Sequence, residues 1–291
     1  MGEVRNHFSF YLKQVMAREK KMIFFIFCTL SVIGYIGYQV NVVKLTHVSF
    51  ETSKLQKGKA LKIIQISDVH GKKLTKGMEN RLMQGLAKEI PDMIVLTGDL
   101  IDKGTKDFEH IYSLVERLKG ITPYIYYIQG NHEWRNPGRR TFIKGLVDRK
   151  VRVLHNENTV FMKGDLAVNI CGVEDYHTRH HDVKRTVKGV NKKRYTILLS
   201  HSPKITRQKE PIEADLILAG HTHGGQIRLP FIGAIVSSGD GFFPKYSKGV
   251  YQLSKGRTLY IDSGLGTRLI PIRTFNQSQV SVLTIRGVVR I

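Results

Sequence analysis

The sequence is poor in cysteine. Its 291 residues contain two, Cys28 and Cys171. Cys28 lies in a long apolar segment and Cys171 in the region that follows, so the predicted topology allows no intrachain disulfide between them. Two cysteines do not indicate whether the compartment is oxidising or reducing. The sequence also lacks internal repeats, coiled-coil heptads and low-complexity segments, which leaves a compact domain as the expected architecture.

Acidic residues are also scarce. Asp and Glu total 24 against 46 Lys and Arg, which gives a formal net charge of +22. An excess of this size is typical of proteins that meet polyanions, such as an anionic membrane, a wall polymer or nucleic acid. The alternative is a solvated basic surface without a particular partner. Composition does not decide between the two.

Charge is absent from residues 22–43, which read MIFFIFCTLSVIGYIGYQVNVV. A helix of this length crosses the hydrocarbon core of a bilayer at about 1.5 Å per residue. No Ala-x-Ala-like cleavage site follows, which favours an uncleaved signal anchor over a cleavable signal peptide. A helix buried in a protein core is a further alternative.

Basic residues are concentrated on the N-terminal side of this segment. Arg18, Lys20 and Lys21 precede it directly, while Lys44 is the only positive residue among the ten that follow. The positive-inside rule therefore places residues 1–21 in the cytoplasm and the rest of the protein outside it. Further lysines downstream weaken this asymmetry.

The remaining sequence predicts a tether and one domain. Residues 44–59 are expected to connect the anchor to the domain, with a short opening strand around Val48. From residue 60 to residue 291, short apolar runs alternate with amphipathic stretches of helical spacing at 77–89, 108–118 and 136–150. Alternating strands and helices are typical of an α/β fold.

Five apolar runs each end in Asp, Asn or His. The first run is followed by Asp68 and His70, which a strand places on the same face. A single strand-end Asp is more often a turn or a helix cap than a ligand. Five such runs instead predict a binuclear metal site. The other four runs end in Gly98-Asp99, Gly130-Asn131-His132-Glu133, Ser200-His201 and Gly220-His221-Thr222-His223.

This series of motifs resembles the calcineurin-like metallophosphoesterase superfamily. Residues 220–230, GHTHGGQIRLP, and residues 241–246, GFFPKY, are similar to its membrane-associated bacterial branch. That branch includes enzymes that act like UDP-2,3-diacylglucosamine pyrophosphatases. The resemblance covers about residues 60–285. It implies an α/β fold in which two mixed sheets form a β-sandwich flanked by helices, with metals at the strand ends, here preceded by the N-terminal transmembrane helix.

The resemblance also implies a role for each site residue. His132 would act as a general acid or would stabilise developing charge. Two divalent ions would be bound, with Asp99 bridging them and a shared hydroxide attacking phosphorus. Mixed oxygen and nitrogen ligands favour Mn, with Fe or Zn as alternatives, over Ca. The ligands would be Asp68, His70, Asp99 and His223 for one ion, and Asp99, Asn131, His201 and His221 for the other.

The predicted function is that of a membrane-anchored phosphoesterase acting on a phosphodiester or pyrophosphate bond in a lipid or envelope substrate. Its expected partners are the bilayer and an anionic envelope polymer or phospholipid-type substrate. A nuclease or cyclic-nucleotide phosphodiesterase of the same fold is one alternative, although no aromatic and basic nucleic-acid module is evident. A non-catalytic envelope-binding scaffold is another, and the complete set of ligand positions argues against it.

Two further stretches have more than one interpretation. His177, His180 and His181 fit a solvated loop better than a third metal site or a substrate contact, because they lack strand-end spacing. The aromatic stretch at 229–243 is expected in the core, with contact to lipid beside the active site as the alternative.

Overall fold

The computed structural model describes residues 2–237, 241–268 and 270–289, with the backbone alone for residues 2–15 and 255. Residues 1, 238–240, 269, 290 and 291, which belong to the predicted N-terminal region and domain, lie outside the described residues. The helices are α1 (Gly2–Asn41), α2 (Lys76–Lys88), α3 (Glu109–Lys119), α4 (Asn131–Arg135), α5 (Arg139–Asp148) and α6 (Val183–Thr186). Short 3-10 turns occur at Pro203–Arg207, His223–Gly225 and Ser254–Gly256.

The strands form two six-stranded mixed sheets and one small antiparallel sheet. In chain order they are β1 (Lys44–Thr52), β2 (Ala60–Ile66), β3 (Met93–Leu96), β4 (Ile125–Tyr127), β5 (Arg152–Val153), β6 (Glu157–Lys163), β7 (Leu166–Gly172), β8 (Tyr195–Leu199), β9 (Leu216–Ala219), β10 (Ile227–Leu229), β11 (Gly233–Ser237), β12 (Gly241–Phe242), β13 (Gly249–Gln252), β14 (Thr258–Ile261) and β15 (Gln279–Gly287). The first mixed sheet has the order β1-β15-β2-β3-β4-β5 and the second β13-β14-β9-β8-β7-β6, while β10, β11 and β12 form the small sheet.

The two mixed sheets pack face to face and helices cover their outer faces. Successive strand residues point to opposite faces, so Ile63 of β2 packs between the sheets while Ile64 packs against the helical layer. Helices α2, α3 and α5 cover the first sheet through side chains such as Leu86 and Leu118. Burying one such aliphatic side chain stabilises a fold by about 1.5–3 kcal/mol. The predicted fold class is confirmed.

Parallel strands of both sheets deliver their carboxyl ends to one edge of the sandwich. β2, β3 and β4 run parallel in the first sheet, as do β8 and β9 in the second. The loops after these strands contact each other across the two sheets. The Nε2 atom of Gln65 donates to the Ala219 carbonyl at 2.9 Å, and Nδ1 of His201 lies 2.8 Å from the Thr97 carbonyl. This edge therefore collects the five predicted strand-end motifs.

The predicted tether is wrong for residues 44–52. These residues form β1, which pairs in parallel with β15 from Lys44 opposite Gln279 to Thr52 opposite Gly287. Phe50 is buried in the layer between the sheets, and this burial is why the segment folds with the domain. The short opening strand predicted around Val48 is present and is longer than expected.

In the aromatic stretch at 229–243, the described residues 229–237 and 241–243 lie mostly outside the core. It contributes to β10, β11 and β12, and its larger side chains are exposed. Phe231 is fully exposed and Phe242 exposes 76% of its surface. The core prediction fails here because apolar composition alone does not show whether a neighbouring layer covers a strand.

Helix α1 is longer than the apolar segment. Among the residues that the structure describes, Met16–Asn41 is the segment long and apolar enough to cross a membrane. Its side chains from 22 to 33 are exposed, unlike those of a core helix.

Candidate metal centre

The strand-end loops bring all eight predicted site residues to one buried place. Each residue exposes 9% of its surface or less. Charged and polar groups are rarely buried without partners, so a cluster of this kind indicates a binding or catalytic site. The residues are Asp68, His70, Asp99, Asn131, His132, His201, His221 and His223.

One cluster contains Asp68, His70 and His223. Nε2 of His70 lies 3.1 Å from Nε2 of His223, and the latter lies 3.6 Å from Oδ1 of Asp68. The ligand atoms of these three residues all lie within 4.8 Å of one another. Ligand bonds of about 2.0–2.2 Å to one central ion fit within this spacing.

A second cluster contains Asp99, His201 and His221, also within 4.8 Å of one another. Nε2 of His201 lies 3.1 Å from Oδ2 of Asp99 and 3.1 Å from Nδ1 of His221. The same Oδ2 of Asp99 lies 3.8 Å from Nε2 of His70, which belongs to the first cluster. Asp99 therefore lies close to both clusters, and its bridging of two ions stays a prediction.

The donor atoms at this centre fit metal ions. Two neutral imidazole nitrogens whose lone pairs face each other repel unless a proton or a cation lies between them, which applies to Nε2 of His70 and of His223. Among the described residues, Oδ1 of Asn131 and Nε2 of His221 are buried and have no hydrogen-bond partner. Leaving a buried polar atom without a partner lowers the free energy of unfolding by about 1–3 kcal/mol. A bound cation would satisfy Oδ1 of Asn131, whereas His221 faces the second cluster through its other ring nitrogen, Nδ1.

The pKa values of the candidate ligands are shifted in different directions. Burial lowers the pKa of His223 well below its usual range, and His70 beside it lowers it further. The pKa of His221 is lowered by burial and then by His201. Burial raises the pKa of Asp99, but His201 outweighs this effect and holds it well below its usual range. These shifts favour the ionised form of Asp99 and the neutral forms of His221 and His223, which are the forms that bind metals. The pKa values of two other histidines are raised: burial lowers that of His201, but Asp99 outweighs burial, and burial lowers that of His70, but the hydrogen bond with Asp102 and the charge of Asp99 outweigh it.

Five of the candidate ligands adopt a left-handed backbone conformation, which costs a non-glycine residue about 1–3 kcal/mol. This conformation turns the chain sharply after each strand. Gly220 lies where the loops approach most closely, since a Cβ there would lie 1.8 Å from Oγ of Ser67 and 2.4 Å from Oδ2 of Asp68. The φ angles are 50° for Asp68, 50° for His70, 52° for Asp99, 70° for His221 and 50° for His223.

Glu133 holds the loop that carries Asp99. Its buried carboxylate accepts hydrogen bonds from four backbone amides, those of Gly130 at 2.8 Å, Asp99 at 2.9 Å, Leu100 at 2.6 Å and Ile101 at 3.1 Å. Burial and then the charge of Asp99 raise the pKa of Glu133 to about 7, while the amides favour its ionised form. The sequence interpretation gave Glu133 no role of its own.

Asp102 is a further residue that the sequence interpretation missed. Its Oδ1 lies 2.7 Å from Nδ1 of His70 and 2.9 Å from Nδ1 of His132. Burial raises the pKa of Asp102, but hydrogen bonds from His132 and His70 outweigh burial and hold it below its usual range. Asp102 is therefore hydrogen-bonded to one candidate ligand and lies close to the candidate general acid. The available signal was a second Asp three residues after Asp99.

His132 lies beside the centre rather than in either proposed ligand set. Its backbone amide donates to Oδ1 of Asp99 at 2.8 Å, and its ring meets the ring of His70 edge-on at 4.7 Å. Its Nδ1 lies near enough to His70 and Asp102 for the three to form a further possible cation cluster. The position fits the predicted role of a general acid at the rim.

The histidines of the 177–181 loop have different ring neighbours. The ring of His177 lies 4.3 Å from that of His221, whereas His180 stacks on Trp134 at 3.5 Å and His181 lies 4.6 Å from Tyr176. No metal-type cluster among the described residues includes any of the three. His177 alone is placed at the rim of the centre, where it can contact a substrate.

Known proteins share this sequence pattern. Residues 61–225 match the family model of the calcineurin-like phosphoesterases. The chain is 33% identical over 232 residues to a metallophosphoesterase of Helicobacter pylori, an alignment that covers 77% of the chain and 60% of the relative. Thus the chain spans about 60% of the length of that relative.

Two other relatives extend the comparison. A metallophosphoesterase of Aquifex aeolicus is 29% identical over 263 residues, which cover 87% of the chain and 96% of the relative. A transmembrane protein with a metallophosphoesterase domain from Bos taurus is 26% identical over 245 residues, covering 78% of the chain and 53% of the relative. Since the family match covers more than half of the chain and includes all eight site residues, the protein belongs to the calcineurin-like phosphoesterase family.

Proposed function

We propose that the protein is a membrane-anchored phosphoesterase that uses two divalent metal ions to hydrolyse a phosphodiester or pyrophosphate bond in a lipid or other envelope substrate. The observation that carries this proposal is the position of Asp99 between two buried clusters of candidate ligands. Mn is the proposed metal, with Fe or Zn as alternatives, because the donors are mixed oxygen and nitrogen atoms. When bound, two such ions would polarise phosphoryl oxygens and activate a water molecule.

The protein's own side chains position the reaction. Nδ1 of His132 lies 2.9 Å from Oδ1 of Asp102, and in this position His132 would give a proton to the leaving oxygen. His177, whose ring lies 4.3 Å from that of His221, is proposed to contact the substrate phosphate. Glu133 fixes the loop of Asp99 through four backbone amides, so the bridging carboxylate does not have to be ordered when substrate binds.

Several features support anchoring in a membrane. The segment Met16–Asn41 has the length and composition of a membrane span, and its side chains are largely exposed. Arg18, Lys20 and Lys21 lie at its N-terminal end, which favours a cytoplasmic N-terminus and an extracytoplasmic domain. A net charge of +22 fits a protein that works beside anionic lipid or wall polymer.

The test is hydrolysis by the full-length protein in detergent with Mn, using a model diester, a model monoester, a UDP-linked diacyl sugar, a phospholipid, a cyclic nucleotide and single-stranded DNA. We expect chelator-sensitive cleavage of a lipid substrate well above that of the monoester. Asp99→Asn should abolish this activity, and the exposed Asp165→Asn serves as the matched control. A lack of chelator-sensitive hydrolysis on every substrate would overturn the proposal, and a preference for DNA or the cyclic nucleotide would favour the nuclease or cyclic-nucleotide phosphodiesterase alternative.

Membrane orientation needs a separate measurement. Protease added to intact protoplasts should remove the domain if it lies outside the cytoplasm. Full protection of the domain, with cleavage only after lysis, would assign it to the cytoplasmic side.

A further inference from the structure

The C-terminal turns of α1 are bonded to the domain. The hydroxyl of Tyr35 accepts a hydrogen bond from the Phe275 amide at 2.9 Å, and the two rings lie 5.7 Å apart. Oε1 of Gln39 accepts from the Asn276 amide at 3.0 Å, and the Gln39 carbonyl accepts from the Ser278 amide at 2.8 Å. The helix is therefore packed against the domain along residues 35–39, and no flexible linker separates the two.

The length of α1 then constrains where the domain lies. Uncharged residues that precede Tyr35 run from Met22 to Gly34. At about 1.5 Å per residue these turns span roughly 20 Å, which is shorter than the hydrocarbon core of about 30 Å. The helix reaches that thickness only if the turns at 35–41 also lie within the bilayer. The domain surface around Phe275 must then enter the membrane with them.

That surface is apolar and exposed. Phe275 exposes 56% of its surface and Ile270 exposes 58%. The strand β10 continues the surface, because the Arg228 amide donates to the Thr274 carbonyl at 3.1 Å.

The small sheet extends the same surface. Ile227, Val236 and Phe242 lie directly opposite one another across β10, β11 and β12, so they share one face, and all three are exposed. Phe231 is fully exposed in the connection between β10 and β11. We call Ile227, Phe231, Val236, Phe242, Ile270 and Phe275 the apolar rim.

We propose that the apolar rim lies in the interfacial layer of the bilayer beside α1, as a second membrane contact of the domain. Apolar side chains that water would otherwise surround gain from contact with acyl chains, and aromatic rings are favoured at this depth. Lys245, three residues after Phe242, can meet anionic headgroups at the edge of the rim. This inference rests on the proposed membrane crossing by α1.

The contact would place the metal centre at the membrane surface. β10 begins four residues after His223, and Nδ2 of Asn276 donates to the His223 carbonyl at 2.6 Å. The backbone amide of the same Asn276 bonds to Gln39 of α1. One residue thus connects the membrane helix to a candidate metal ligand. The substrate that fits this arrangement is an amphiphile whose phosphate lies at headgroup depth.

The experiment measures the depth of nitroxide labels on the full-length protein in nanodiscs of phosphatidylcholine and phosphatidylglycerol. Labels are placed by Phe242→Cys and Phe275→Cys in the rim, Phe27→Cys in α1 and Met162→Cys on β6, in a Cys28→Ser background. Met162 is the matched control, since it is apolar and 62% exposed but lies on the far edge strand of the second sheet. Cys171 is buried, and burial raises its thiol pKa to about 12, so it stays unlabelled.

We expect the ratio of oxygen to nickel-chelate collisions to be several-fold higher at 242 and 275 than at 162, and highest at 27. Water-like ratios at 242 and 275, with a label at 27 in hydrocarbon, would overturn the second contact and leave the anchored enzyme intact. Labels at 242 and 275 that are shielded from both reagents would overturn it in favour of a protein partner. A water-like collision ratio at 27 would show that α1 does not cross the bilayer and would overturn the proposed anchor.

Discussion

At the scale of single residues, Asp102 connects binding to catalysis. One of its carboxylate oxygens lies within hydrogen-bond distance of both His70 and His132. Asp102 is therefore hydrogen-bonded to the ring of a candidate ligand and lies beside the ring of the candidate general acid. A substitution at Asp102 should for this reason affect both metal binding and catalysis, whereas one at His132 should affect catalysis alone.

We predict that His132→Ala lowers kcat by about 100-fold or more, because a positioned general acid contributes on this scale. Metal content should stay near that of the wild type, since His132 lies outside both proposed ligand sets. Asp102→Asn should lower kcat and also weaken metal binding, because it releases His70 as well. Kinetics and metal analysis of the purified proteins measure both effects. Loss of both metals from His132→Ala would move His132 into the ligand set.

A second prediction concerns Glu133. In Glu133→Gln, the side-chain NH2 group would face backbone amides that now donate to a carboxylate, so at least one donor loses its acceptor. We expect the free energy of unfolding to fall by about 2 kcal/mol and metal affinity to fall with it. Denaturant unfolding and metal titration measure these changes. The exposed Glu157→Gln should match the wild type, and equal stability of the two variants would contradict the role given to Glu133.

Sequence reasoning found site residues only where the pattern repeats. Asp68, Asp99 and His201 each follow an apolar run, so repetition of the strand-end motif made them visible. Asp102 does not repeat, and a lone Asp in a loop is indistinguishable from a turn residue. Glu133 lies within a motif, but its contacts are to backbone amides of another loop, which a linear sequence does not display.

At the scale of elements, the loop after β9 tolerates almost no added volume. A Cβ on Gly220 would overlap Ser67 and Asp68 in the loop after β2. We predict that Gly220→Ala destabilises the protein by about 2 kcal/mol or more and lowers metal occupancy, since overpacking forces the loops apart. Gly104→Ala is the control, because a Cβ there meets nothing within 4 Å. Thermal unfolding and metal analysis compare the two variants. A Gly220→Ala protein with the stability and metal content of the wild type would refute the close packing.

The elements themselves differ in how well sequence predicts them. β2, β3 and β9 are short apolar runs buried on both faces, and helices α2 and α3 have clear apolar periodicity, so all five were predicted. The sequence predicts β1 mainly as a tether. Its pairing partner β15 lies more than 200 residues away, and the local sequence pattern does not indicate this pairing. The sequence predicts the region of the small sheet as core because its composition is apolar, although most of its larger described side chains are exposed.

The attachment of α1 to the domain leads to a second prediction at the scale of elements. Asn276→Ala removes the side-chain hydrogen bond to the His223 carbonyl, while its backbone amide can still donate to Gln39. We expect faster hydrogen exchange in the His223 loop and little change in α1. Asn80→Ala, at an exposed contact with Arg117, is the control. Unchanged exchange at 222–226 would show that Asn276 does not hold this loop.

At the scale of the whole molecule, bound metal should contribute to stability. The centre buries Asp68 and Asp99 close together, and a ligand that binds only the folded state stabilises it by mass action. We predict that a chelator lowers the melting temperature by several degrees, and that Mn restores it while Ca does not, because the site offers imidazole nitrogens. Differential scanning calorimetry on the full-length protein measures both shifts. An unchanged melting temperature after verified metal removal would contradict the prediction.

The packing of α1 against the domain has a consequence for the substrates that the centre can reach. A centre joined to a membrane helix through Gln39 and Asn276 cannot rise or sink freely relative to the bilayer in which that helix is proposed to lie. If the substrate is a lipid, as proposed, the centre would therefore select substrates by the distance between their acyl chains and the scissile phosphate. Its rate would follow the mole fraction of substrate in the surrounding lipid rather than the bulk concentration, because enzyme and substrate meet by diffusion in two dimensions.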